Sequence, residues 1–97
     1  MTPGAEKISD LQLFIFGKSE KSETAIKNLQ YICRTYLGDS CMIEIIDLSE
    51  RPEMGNQEQI LAIPTLIIRH PAPGRRIIGD LSETAKVLAL LGVKPAS

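Results

Sequence analysis

The 97-residue chain is short of the residues that mark several function classes. It holds one histidine, His70, and two cysteines, Cys33 and Cys41. Two thiols make neither a disulfide framework nor a zinc site, and a single imidazole has no second to join it, so no metal is expected. No apolar run approaches the roughly 18 residues of a membrane span, and the opening Met1-Thr2-Pro3-Gly4-Ala5-Glu6 lacks the basic-then-apolar order of a secretory signal. A cytoplasmic location without membrane attachment is the expectation. A net charge of -1 removes the overall electrostatic drive toward nucleic acid. Glycine-rich phosphate loops and aromatic-basic alternation are missing, and the carboxylates Asp39, Glu44, Asp47 and Asp80 are scattered rather than paired. No cofactor and no catalytic residue are expected.

What is present suits one small domain, residues 1–97, with loose ends at 1–10 and 92–97. Hydrophobic content of 43% and charged content of 24% are ordinary for a globular chain. Leu11-Gln12-Leu13-Phe14-Ile15-Phe16 predicts a strand covered on both faces and closed by Gly17. Ser22 is a candidate cap for a helix beginning at Glu23 and stopped by Gly38. Its stripe Ile26, Leu29, Cys33, Tyr36, Leu37 makes Cys33 a buried small hydrophobe. Cys41 opens a second strand, Met42 to Asp47, and is expected to be inert. Strand, helix and strand within this span predict a parallel crossover unit.

The second half is less decided locally. Pro52 and Glu53 favour a short helix that Gly55 and Asn56 weaken. Thr65 to Arg69 and Arg75 to Ile78 predict a hairpin around Pro71-Ala72-Pro73-Gly74. Ser82 is a candidate cap for a last helix with Thr84, Val87, Leu88 and Leu91 on one face, ended by Gly92. Val87-Leu88-Ala89-Leu90-Leu91 is apolar throughout, so periodicity alone does not separate helix from buried strand there.

Ile63-Pro64-Thr65-Leu66, followed by that hairpin and helix, resembles the second half of thioredoxin-like domains. The resemblance implies an α/β fold of order βαβαββα with Pro64 in a cis-proline loop. Where such a domain carries two cysteines spaced by two residues, this chain reads Gly17-Lys18-Ser19-Glu20-Lys21-Ser22. A serine hydroxyl at a helix start gains no nucleophilicity without a base, and capping is its simpler role. Binding is therefore expected in place of redox chemistry. Arg69, His70, Arg75 and Arg76 concentrate charge on one hairpin, either to dock an acidic partner or to keep a solvated edge from aggregating.

Arg75-Arg76-Ile77-Ile78-Gly79-Asp80-Leu81-Ser82 narrows the resemblance. With Ile60 to Leu66, Ile46-Asp47-Leu48 before Pro52, and Gly17 with Ser22, it is similar to the KaiB family of circadian clock proteins over residues 8 to 91. That likeness implies a non-enzymatic partner of the hexameric KaiC ATPase. It also implies a metamorphic chain: a tetramer or dimer at rest, and a thioredoxin-like monomer when bound. Gly79 and Asp80 match positions that bias the balance, and Pro64 joins them as a conformational residue. Lys18, Lys27, Arg75 and Arg76 are the expected docking charges. Thr24 stands where cyanobacterial members commonly carry Arg, and Lys94-Pro95-Ala96-Ser97 replaces their acidic extension. Binding of the activator KaiA is therefore not expected, and a timing or stress-adaptation system outside the standard oscillator fits better. Two alternatives are a stand-alone thioredoxin-like sensor domain related to the clock-output histidine kinase, which keeps a sensor kinase as a second partner, and a redox-inactive thioredoxin-like binding protein.

Overall fold

In the computed structural model, which describes residues 9–38, 40–70 and 74–93, a four-stranded sheet lies between two helical layers. The strands are β1 (Ser9–Ile15), β2 (Cys41–Asp47), β3 (Thr65–His70) and β4 (Arg75–Ile78), and their spatial order is β2-β1-β3-β4. β1 pairs parallel with β2 from Ser9↔Cys41 to Ile15↔Asp47, and antiparallel with β3. β3 and β4 close the sheet as an antiparallel pair.

Side-chain alternation along β1 explains the layering. Leu11, Leu13 and Ile15 enter the larger core, with Leu66, Ile68 and Ile77 from the neighbouring strands. Helix α1 (Glu20–Ile32) contributes Ala25, Leu29 and Ile32 to this core, and helix α3 (Thr84–Leu91) contributes Val87, Leu88 and Leu91. Phe14 faces the other way and packs with Ile46, Leu48 and Ile67 beneath Met54 of α2 (Pro52–Gln57) and Ile60. The central strand is therefore covered on both faces. The sequence order βαβαββα holds throughout, and the apolar run 87–91 is helical.

Several local expectations need correction. Ser9 and Asp10 are strand residues, because the parallel register with Cys41 and Met42 extends β1 beyond its apolar run. Phe16 lies past the strand and is 54% exposed. The cap of α1 is Ser19 rather than Ser22: Ser19 Oγ accepts the Ser22 backbone N–H, and Ser22 is buried. The α-helix ends at Ile32 and continues as a π-helical turn, Cys33–Leu37, before Gly38 at φ 60 turns the chain. Ser82 caps nothing. Glu83 occupies the cap position of α3 without a side-chain bond, and the Asp80 carboxylate receives the Ser82 N–H instead. Gly92 ends α3 in the left-handed conformation, as its sequence position suggests, and Val93 still packs on the core. The residues of the turn 71–73 and the ends 1–8 and 94–97 lie outside the described residues.

Cys33 is buried, as expected, but the two cysteines are not separate groups. Cys33 and Cys41 form a disulfide across a Cα separation of 6.1 Å. The π-turn carries Cys33 toward the first residue of β2, a geometry that eight residues of sequence separation do not reveal.

Candidate functional site

The loops that leave the end of the sheet at Ile15 and Ile78 form the candidate site. Asp47, the last residue of β2, organises the first of them. One of its carboxylate oxygens accepts the Gly17 N–H at 2.9 Å, the Ser49 N–H at 2.9 Å and the Ser49 hydroxyl at 2.7 Å. The Gly17 bond leads in holding the Asp47 carboxyl below its ordinary value, with the Ser49 bonds adding to it. Gly17 itself stands at φ 64, which an L-residue adopts only at a cost. The loop then delivers Ser19 to the start of α1. Ser19 Oγ donates to Ser22 Oγ, so both hydroxyls are engaged with one another and with the helix terminus. No thiol or imidazole stands beside them in this loop.

Opposite lies the proline loop. The Ile63–Pro64 peptide is cis, and Pro64 is buried. The Pro64 carbonyl accepts the Gly79 N–H at 2.9 Å, which ties the entry of β3 to the exit of β4. Gly79 holds φ 121 with open space where a Cβ would point, so the backbone angle alone demands glycine. Asp80 follows. Its carbonyl accepts the Asn28 amide of α1 at 2.8 Å, and its carboxylate accepts the Ser82 N–H at 3.0 Å. Hydrogen bonding to the Ser82 side chain and backbone lowers the Asp80 pKa from its ordinary value. Leu81 is buried at φ 64, and Gln59 stands at φ 54 before the loop. Pro64 is thus brought beside Gly79, with Asp80 next to it in the chain.

An apolar rim surrounds this junction. Leu61 is 94% exposed, Ile78 64%, Phe16 54% and Ile63 39%. The register places three of them at one end: Phe14 pairs with Thr65, Thr65 pairs with Ile78, and Phe16 and Ile63 stand just beyond, while Leu61 lies in the irregular segment that leads to Ile63. Sequence reasoning missed this rim. Its available signal was Ile60-Leu61-Ala62-Ile63, an apolar run in a segment with neither helical nor strand period.

The four expected docking cations do not form one patch. Lys18 is exposed in the loop after β1, and Lys27 is exposed on α1 on the side away from the core. Arg75 and Arg76 are exposed, but strand alternation sends them to opposite faces of the sheet. Arg75 is level with Ile68 and hence Leu11, four strand positions (roughly 13 Å) before the β1 exit. Arg76 is committed within the chain, donating to the carbonyls of Gln59 at 3.2 Å and Glu58 at 2.6 Å. Beside it Arg69 pairs with Glu58 at 2.6 Å and donates to Gln12, whose amide reaches Glu44 at 2.9 Å. Part of the basic hairpin thus braces the segment leading to the proline loop. Among the described residues, no group of three or more His, Cys, Asp or Glu side chains is placed to hold a metal ion. No helix among them is long and apolar enough to cross a membrane.

The KaiB domain family matches residues 12–93, which takes in the whole of this site. The chain belongs to the KaiB family. Among its KaiB relatives, the circadian clock protein KaiB3 of Synechocystis is 47% identical over 85 residues, spanning 88% of this chain and 83% of that one. The circadian clock oscillator protein KaiB of Synechococcus elongatus is 38% identical over 78 residues, 80% of this chain and 76% of the relative. The fold of this KaiB-family chain is thioredoxin-like. Chloroplastic thioredoxin z superposes with a TM-score of 0.73 at 19% identity, covering 89% of this chain and 77% of its own. The N-terminal domain of Synechococcus elongatus SasA superposes with a TM-score of 0.65 at 16% identity, covering 93% and 90%.

Proposed function

We infer that this KaiB-family chain is a non-catalytic regulator that docks, as a thioredoxin-like monomer, onto a KaiC-type hexameric ATPase in the cytoplasm. The apolar rim carries the reading. Phe16, Leu61, Ile63 and Ile78 leave large apolar side chains exposed near the end where a thioredoxin presents its cysteines, and apolar surface gathered at one end of a domain suits an interaction site. Lys18 beside the rim adds charge that steers an acidic partner, while Lys27 and Arg75 act at a distance from it. Arg76 keeps the rim's approach segment in place.

A fold switch belongs to the same reading. The second half holds Gln59 and Leu81 at positive φ, Gly79 at φ 121 and a helix α2 without a buried residue. Such a segment gains less from its local sequence than β1, α1 and β2 do, so a competing packing of residues 49–93 lies within reach, and with it a resting dimer or tetramer. Pro64, Gly79 and Asp80 set that balance. KaiA is not a partner in this reading.

Native mass spectrometry of the chain with the KaiC-type ATPase of the same source tests it. Resting oligomers that convert over hours into single copies bound around a hexamer support the reading. A fixed oligomer that never engages the ring overturns it.

A further inference from the structure

The Cys33–Cys41 pair sits at the far end of β1 from the proline loop, since Cys41 pairs with Ser9, the first residue of that strand. The two residues differ in exposure. Cys33 is 5% exposed at the junction where α1 passes into its π-helical turn, whereas Cys41 is partly exposed on the edge strand. An open groove of about 470 Å³ runs alongside, lined by Gln30, Arg34, Gly38 and Ile43 together with both cysteines. π-turns inside helices recur at functional sites, and this one aims the helix end at the edge strand.

We propose that Cys33–Cys41 is a reversible thiol-exchange site at which a small anionic thiol of the glutathione class adds to Cys41. The thiolate enters along the groove and attacks the Sγ of Cys41, the more exposed of the two cysteines. The Cys33–Cys41 bond breaks, its electron pair leaves on Cys33 Sγ, which takes a proton, and a mixed disulfide remains on Cys41. A second thiolate then attacks the sulfur of the bound thiol and releases Cys41 as a thiol. In sum, one protein disulfide and two small thiols give two protein thiols and one small-molecule disulfide. Arg34 supplies the cation that favours a thiolate bearing further carboxylate charge over one without it, and Gln30 offers amide hydrogen bonds to its peptide groups. Opening the pair frees the turn after α1 from β2 and leaves the apolar rim, at the other end of the sheet, in place. Exchange at this site requires no ATPase partner.

The test uses the full chain equilibrated in glutathione buffers of graded reduced-to-oxidised ratio, quenched with iodoacetamide and weighed intact. The expected result is a reversible passage from no alkylation to two alkylations in folded protein. In the Cys33→Ser variant, oxidised glutathione should leave one adduct on Cys41, while Cys41→Ser should accumulate it at least tenfold more slowly on the buried Cys33. Arg34→Glu should slow adduct formation with glutathione several-fold more than with 2-mercaptoethanol, whose thiolate carries no further negative charge. Thiols that stay free in fully oxidised buffer, or a disulfide that yields only after denaturation, overturn the proposal. Equal adduct rates on the two single variants, or an Arg34→Glu variant indifferent to thiol charge, overturn its assignment of Cys41 and of the groove. The wild-type titration needs no variant, so it decides for or against exchange even where a substitution folds poorly.

Discussion

Gly79 concentrates the residue-scale argument. At φ 121 it adopts a conformation that L-residues rarely reach, and a Cβ there meets no atom, so replacing it acts through the backbone alone. Gly79→Ala should destabilise the thioredoxin-like state by about 1–3 kcal/mol, read as a lower urea midpoint with an unchanged slope. Gln59 presents the converse. Its φ of 54 is a left-handed angle held by a non-glycine residue whose carbonyl is fixed by Arg76. Gln59→Gly keeps that carbonyl, relieves the angle and should raise stability by roughly 0.5 kcal/mol, the remainder being offset by the freer unfolded chain. Asp47 and Asp80 add a pH dependence of definite sign. Both have folded-state pKa values lowered from 3.8 by hydrogen bonds that only the folded chain makes. Their contribution is complete above the unfolded value and is lost as pH falls through the folded ones, so the thermal midpoint should decline below about pH 4. Asp47→Asn with Asp80→Asn should flatten that decline, and an undiminished slope in the double variant would count against these bonds.

Elements were legible in the sequence where one apolar period and one pair of end signals governed them. β1 shows in Leu11 to Ile15 because both faces of a central strand are buried, whereas α3 shows in its end signal Gly92 more than in the apolar run 87–91, whose period is ambiguous. The ends were less legible. Ser19 and Ser22 are both plausible caps, and the choice falls to Ser19 because Ser22 is needed in the buried face of α1. The π-turn that joins Cys33 to Cys41 leaves no periodic trace. Neither does the basic hairpin's division of labour, since Arg76 and Arg69 acquire their partners only when residues 58 and 59 come across the sheet. That bridge is itself measurable. The Arg69–Glu58 pair spans 2.6 Å with side chains 34% and 26% exposed, so solvent screening discounts it. A double-mutant cycle with Arg69→Met and Glu58→Gln should return a coupling of roughly 0.5–1 kcal/mol that shrinks in concentrated salt. A coupling near zero would reduce the brace to the backbone bonds of Arg76.

For the whole molecule, the informative contrast is between its two ends. At one end of the sheet the Cys33–Cys41 bond ties the turn after α1 to β2, and the other end opens into loops with apolar side chains turned to water. Leu61, at 94% exposure, contributes almost nothing to folding by burial, so Leu61→Ser should alter stability by less than about 0.5 kcal/mol. Its effect on docking should be larger. Burying a leucine at an interface is worth roughly 1.5–3 kcal/mol, so losing it should weaken binding to a KaiC-type ATPase by at least tenfold. Met42, 61% exposed on the opposite edge strand, is the matched control, because Met42→Ser removes comparable surface apolarity away from the rim. Titration calorimetry or interferometry on the two variants separates the possibilities. A loss confined to Leu61→Ser assigns docking to the proline-loop end. Equal losses reduce the effect to general hydrophobicity, and undiminished binding by Leu61→Ser removes the rim from the interface.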